Sequence, residues 1–328
     1  EIFVRSFRDG SGSDGIGDFA GLTASLDYLN DGDSTTTTDL GVDALWLMPV
    51  HPSPSYHGYD ITDYEGIEED YGNIEDCRRF VAEAHRRGLR VILDFVVNHS
   101  SNQHPFFRDA LGNPASQFSS WYKFTNPGNT AYQGFAGIDV MPELNFRSVE
   151  MRRYLAKVAE FWIDLDQDHD LHDGVDGFRC DVAKGPPHNY WKELRLGTKS
   201  LRPDFMLLGE IWDNEQTIAP YFHSEFDMAF DYPLYYSMLD LLSGKKSPDR
   251  FLRDCEALRG IYPAGAQLCR FLDNHDNNRI ASILGEDPRR IRLATGLLFA
   301  LPGTPLLYYG TETGTPGMKP DPDLRKPM

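Results

Sequence analysis

Apolar residues along the chain fall into short runs separated by longer amphipathic or polar stretches. Residues 2–7, 42–49 (VDALWLMP) and 89–97 (LRVILDFVV) read as the first three strands. Residues 175–181, 205–209 (FMLLG), 225–230, 268–272 and 305–309 continue the series to eight. Helical segments lie between them, among them 19–29 and 74–87; the second carries His and Arg in its last turn and is closed by Gly88. Residues 30–39 (NDGDSTTTTD) form a polar loop, the low-complexity tract of the chain. Strands alternating with helical segments predict parallel β/α units.

The spacing sharpens this to a (β/α)8 TIM barrel, in which about 250 residues give roughly 30 per unit. Asp181 to Glu210 is 29 residues and Glu210 to Asp276 is 66, one unit and two. Asn98 to Asp181 is 83, one unit with a surplus. That surplus is rich in Asn, Ser, Gly, Gln and aromatics and reads as a small irregular domain, 100–141, inserted after the third strand of a barrel built from 1–99 and 142–328. The polar residues that follow the apolar runs fall at the carboxyl ends of strands, where such barrels build their sites.

The chain has 328 residues, 41% hydrophobic and 12% aromatic, enough for a large core. Its 50 acidic and 32 basic residues leave a formal charge of −18, which repels nucleic acid and anionic membranes and suits a neutral substrate. No apolar run is long enough to span a membrane. The four cysteines show no metal-ligand spacing and leave a Cys255–Cys269 disulfide open. The chain reads as cut at both ends, beginning inside a strand and stopping at Met328 without a closing helix.

The run GFRCDVAK at 177–184 carries Arg179 and Asp181 on one face of a strand end. An arginine held there keeps Asp181 ionised near neutral pH, as a nucleophile requires; a structural Arg–Asp pair is the plainer alternative. Glu210 ends FMLLGE, with Ile211 and Trp212 able to wall it from water, a setting that favours a carboxylic acid with a proton to donate. Asp276 follows His275 where FLDNHD leaves a core strand. Three acids round one barrel mouth let two of them flank a glycosidic bond, one attacking the anomeric carbon and one protonating the leaving oxygen.

DFVVNH at 94–99, GFRCDVAK at 177–184, GEIW at 209–212 and FLDNHD at 271–276 resemble, in order, the four signature regions of the α-amylase family of glycoside hydrolases, family 13. MPELN at 141–145 resembles a fifth, and YLNDGDSTTTTDLGV with SYHGYDITDY resembles the subgroup intermediate between oligo-1,6-glucosidases and neopullulanases. The resemblance implies a TIM barrel with a domain B after strand three and a C-terminal β-sandwich, which these residues do not include. It implies Asp181 as nucleophile, Glu210 as general acid/base, Asp276 as the third carboxylate and Arg179 as the residue orienting the nucleophile. It also implies His99, His275, Tyr59 and Asp60 at the cleavage subsite, Lys184 on the leaving-group side, and Asp321 with Arg325 on the next sugar. The histidine that usually follows the lysine is Gly185 here.

Structural calcium is a further expectation of the resemblance. The loop 9–18 (DGSGSDGIGD) offers Asp14, the Ile16 carbonyl and Asp18, with a solvated Gly/Ser loop as the alternative. Asn98 and Glu143, the latter replacing the family's usual aspartate, form a second candidate set. Trp121 and Tyr122 are candidate sugar-stacking platforms, whereas Trp46 reads as core. The implied activity is retaining hydrolysis of α-1,4-glucosidic bonds in starch, maltodextrins or maltooligosaccharides. An exo-acting α-glucosidase or a transglycosylase on the same scaffold is the rival, and a non-catalytic relative, which tends to lack the acids kept here, a remote one. An acidic, starch-facing enzyme leans to an extracellular or periplasmic location, with the cytoplasm open because maltodextrin enzymes of the family also work there.

Overall fold

The computed structural model describes residues 1–12, 14–169 and 171–328. Seven parallel strands lie in chain order in one curled sheet: β1 (Ala44–Leu47), β2 (Arg90–Phe95), β3 (Gly177–Cys180), β4 (Met206–Gly209), β5 (Met228–Phe230), β6 (Gln267–Arg270) and β7 (Thr304–Pro305). The helices between them cover the outer face. Alternation along each strand sorts the apolar side chains into two layers. Trp46, Ile92, Leu208, Met228, Phe230 and Cys269 fill the inside of the barrel, while Leu45, Leu47, Val91, Leu93, Phe178 and Leu207 pack toward the helices.

Residues 1–2 close the ring. The Ile2 amide donates to Trp46 O at 2.7 Å and Met48 donates back to Ile2 O at 2.9 Å. On the other side the Glu1 nitrogen donates to Leu307 O at 2.8 Å and Tyr309 donates to Glu1 O at 3.0 Å. The first strand is therefore far shorter than 2–7, because Val4–Phe7 is a turn of helix. Phe3, Val4 and Phe7 stand at helical spacing, not in alternation, and all three are buried. The eighth strand is likewise shorter than 305–309: only Thr304 and Pro305 join the ladder. The helix expected over 19–29 breaks at Ser25, whose hydroxyl donates back to Gly21 O at 2.8 Å.

Residues 100–141 hold short helical turns joined by isolated antiparallel bridges, His99 with Glu143, Tyr122 with Leu144 and Phe124 with Tyr132. Aromatic packing holds them: Phe106 stacks on Phe118 at 4.2 Å and meets Trp121 edge-on at 5.2 Å, and Phe107 meets Tyr122 at 4.9 Å. Trp121 and Tyr122 are thus spent on this core and offer no face to a sugar, a correction to the sequence reading. Phe135, Ile138 and Met141 instead face the cleft over the barrel mouth. All four cysteines are free, so Cys255 and Cys269 are not joined; Cys269 faces the barrel interior while Cys255 lies on the helix Pro248–Ile261. Among the described residues no helix is long and apolar enough to cross a membrane.

Candidate active site

The register sets the site. Asp94 on β2 pairs directly with Arg179 on β3, and Cys180 with Gly209 on β4, so Asp94, Arg179, Asp181 and Glu210 emerge side by side at the carboxyl ends. Arg179 is 1% exposed and lies over the Trp46 ring at 4.9 Å. Its Nη1 donates to both Asp94 oxygens, at 2.9 and 3.0 Å, and to Asp181 at 2.7 Å. Its Nη2 binds Glu210 at 2.8 Å. Glu210 also accepts from the Val182 amide at 2.9 Å and from the Tyr232 hydroxyl at 3.3 Å.

One guanidinium thus serves three enclosed carboxyls. Burial pushes Asp94 up to about 6 against the pull of Arg179. Burial also drives Asp181 well above the usual carboxylate range; Arg179 opposes this, while the charges of Glu210 and Asp94 add to it. Arg179 therefore favours the charged form of Asp181, as the sequence suggests, but does so against burial and two neighbouring acids that share the same guanidinium. Beside Asp181, Val182 stands at φ 44°, a left-handed conformation costly for a β-branched residue, and its amide is thereby turned onto Glu210.

The opposite wall is electrostatically distinct. His275 stacks on Tyr59 at 5.4 Å, and its Nε2 lies 3.1 Å from Asp276 Oδ2 and 2.8 Å from the Tyr59 hydroxyl. Arg325 Nη2 donates to Asp276 Oδ1 at 3.2 Å and sits 3.6 Å from Asp321. Burial works against charge on Asp276, yet His275 and Arg325 together hold it well below the usual carboxylate range. His99 is neutral, burial taking it down to about 4. The Asn98 amide nitrogen lies 3.3 Å from its Nδ1, and its buried Nε2 has no protein partner at the cleft wall.

These walls enclose a cleft of ≈ 530 Å³. Asp181, Glu210, Asp276, His99, His275, Tyr59, Lys184, Asp321 and Arg325 all line it, joined by Trp212, Lys319 and His57. Lys184 sits at the rim, paired with Asp213 at 2.8 Å. Trp212 stacks on Tyr232 at 4.9 Å beyond Glu210. Asp60 is not in the lining: its carboxylate accepts from Ser53 and Ser55 at 2.7 and 2.9 Å behind the wall. Gly185 stands where a Cβ would overlap Asn98 Oδ1.

Among the described residues, those expected to hold calcium are engaged by hydrogen-bond donors or cations of the protein. Asp18 caps the helix Phe19–Ala24 and accepts from the amides of Gly10, Ser11 and Gly21 at 2.6–3.1 Å, and Asp14 turns to the Ile16 amide at 2.8 Å; Ser13 of this loop lies outside the described residues. At the second set Lys123 Nζ sits 2.6 Å from Glu143, placing an ammonium where a cation would bind, while Asn98 turns its amide to His99. Among the described residues the group of acids close enough together to share a metal ion is Asp164, Asp166 and Asp173, before β3, where Arg78 binds Asp166 at 2.9 Å.

A parallel barrel that gathers carboxyls round one arginine at its strand ends defines the glycoside-hydrolase class. The chain belongs to the α-amylase family, whose catalytic-domain model matches residues 1–326. It is 36% identical over 347 residues to Alpha-amylase 3 of Dictyoglomus thermophilum, covering 100% of this chain and 66% of that protein. Neopullulanase 2 of Thermoactinomyces vulgaris is 36% identical over 322 residues, 95% of this chain and 52% of its own length. The crystal structure of an α-amylase from H. orenii superposes with a TM-score of 0.92 at 37% identity, covering 100% of this chain and 71% of that one. The chain thus spans about half to two thirds of the length of these curated relatives.

Sequence reasoning missed Asp94, Glu1 and Tyr232. An acid inside the apolar run LRVILDFVV is the signal for Asp94, since an unpaired acid is not tolerated there. Glu1, the head of EIF, has no such context, and Tyr232 reads as ordinary core.

Proposed function

We propose that the protein is a retaining α-glucan hydrolase acting on α-1,4-glucosidic bonds of starch, maltodextrins or maltooligosaccharides. The observation that carries this reading is the attachment of Asp181 and Glu210 to opposite nitrogens of one buried guanidinium, at 2.7 and 2.8 Å. Such tethering holds the two carboxyls close together, as a retaining pair at about 5 Å requires, where an inverting pair stands roughly 6.5–9.5 Å apart to lodge its water. Asp181, on the face of β3 that opens to the cleft, attacks the anomeric carbon. Glu210, as general acid, delivers a proton to the leaving oxygen. The glycosyl–aspartate then opens to a water that Glu210, now ionised, deprotonates. Asp276, kept charged by His275 and Arg325, accepts hydrogen bonds from sugar hydroxyls, and the unpaired His99 Nε2 offers another hydrogen-bonding atom to them. Trp212 offers an apolar face on the leaving-group side. The names of the relatives, amylase and neopullulanase, agree with this substrate class.

Product analysis of the full-length protein on maltoheptaose, pullulan and isomaltose tests the reading, with Asp181→Asn as blank. Mixed maltooligosaccharides early in the time course, absent with the variant, are expected. Glucose alone from the first minutes makes it an exo-glucosidase, and no turnover by the folded protein overturns the hydrolase reading.

A further inference from the structure

Glu1 is a carboxylate enclosed in the barrel, its side chain 0% exposed. Its neighbours Ile2 and Phe3 are buried apolar side chains at this end of the ring, and a buried acid is costly there unless paired. Its partner is His275: Oε1 lies 2.6 Å from Nδ1 and also meets the His275 amide at 3.4 Å. Across the ring, Nε2 faces Asp276 Oδ2 at 3.1 Å and the Tyr59 oxygen at 2.8 Å, and the Tyr59 hydroxyl is itself committed as donor to Asp94 at 3.0 Å. Both ring nitrogens therefore confront acceptors, and both must carry hydrogen.

We propose that Glu1 is a positioning residue of the active site, fixing His275 as an imidazolium whose Nε2–H is aimed at Asp276, Tyr59 and the cleft. The proposal rests on the hydrolase reading for its consequence, but its geometry stands apart from it. A neutral His275 needs only a carbonyl at Nδ1; a carboxylate there sustains the charged ring. That charge keeps Asp276 ionised at the third carboxylate position and presents a fixed donor to a sugar hydroxyl. The other groups round the ring agree. The edge of Trp46 lies 5.7 Å away, Arg325 Nε binds the His275 carbonyl at 3.1 Å, and Asp273 is turned aside to Thr311 and the Ile280 amide. Burial opposes the imidazolium, yet Asp276 and Glu1 carry it up to about 10.

The test uses the full-length protein with 15N-labelled histidine, the His275 signals being assigned by their loss in His275→Asn. The expected result is a doubly protonated ring at pH 8 in the wild type; a neutral ring at that pH overturns the proposal, and this measurement needs neither substrate nor a second variant. In Glu1→Gln the ring is expected to titrate below pH 8. For a variant midpoint about one unit below pH 8, the variant-to-wild-type ratio of kcat/KM is then expected to fall about tenfold from pH 6 to pH 8, one decade per pH unit above that midpoint. A ratio that stays flat with pH, whatever its size, marks Glu1 as merely structural and overturns the proposal. Failure of the full-length protein to hydrolyse any glucan leaves the ring's protonation to be read as before, so the two readings fail separately.

Discussion

Arg179 holds more acid than it can neutralise, and that imbalance links stability to function. Asp94, Asp181 and Glu210 crowd one guanidinium in a site almost closed to water. Replacing Glu210 by Gln keeps the shape and the donors from Val182 and Tyr232 close to their acceptors while removing one of three competing acids. Glu210→Gln is expected to lower kcat by at least about 10²-fold while leaving the melting temperature equal to or above wild type. Calorimetry beside steady-state kinetics checks this, and a cold-sensitive or lowered melting transition would sink the argument. His275 makes a prediction about pH. Its folded-state pKa is raised from 6.5 to about 10, against burial, by Asp276 and Glu1. Its contribution to stability is therefore fully present below pH 6.5, declines as the unfolded ring loses its proton while the folded ring keeps it, and is gone above about pH 10. The stability gap between wild type and His275→Gln, read from denaturant titrations, is expected to narrow steadily from pH 6.5 to pH 10.

At the level of elements, the junction between the barrel and residues 100–141 depends on Lys123. The segment meets the end of β2 through the His99–Glu143 bridge, and Glu143, 11% exposed, is answered by the Lys123 ammonium. Chelation of divalent cations is expected to leave the melting temperature of this catalytic domain unchanged, whereas Lys123→Met leaves Glu143 without its cation and costs about 1–3 kcal/mol. A melting point that drops with chelator would show that metal, not lysine, fills the junction. The calcium expectation arose because Asn98 and Glu143 stand in motifs, while Lys123 stands in none. Its pairing is made by a bridge across twenty residues of irregular chain, which has no period to read. The strands, by contrast, are legible where they are buried and uninterrupted, as 89–97 is, with its ladder at Arg90–Phe95. The run 2–7 misleads because its apolar residues mix strand and helix spacing, and closure of the ring needed only Ile2 from it.

For the whole molecule, the barrel and its three acids are legible from distances between strand ends alone, since 29 and 66 residues are one and two units of a repeating fold. What the spacing does not carry is which acids share a partner. Asp94 is brought to Arg179 by the register of β2 on β3, and Glu1 is brought to His275 by closure of the ring, both long-range events without local signature. The acidic composition, formal charge −18, does not oppose a neutral ligand and agrees with the proposed recognition of sugar hydroxyls in the cleft.

The closure by residues 1–2 has a kinetic corollary. Glu1 meets His275 and Leu307, Ser6 donates to Arg325 O at 2.6 Å, and Arg325 meets Asp276. Contacts of such sequence separation form late, after the loop-closure entropy of the intervening chain has been met. A nascent polypeptide on the ribosome can therefore display all three acids, and much of its helix, while residues 1–2 still await the strand that will seal them in. Until residue 325 has been synthesised and has swung home, the polypeptide has secondary structure but no assembled cleft, and a refolding chain regains helix before it regains turnover.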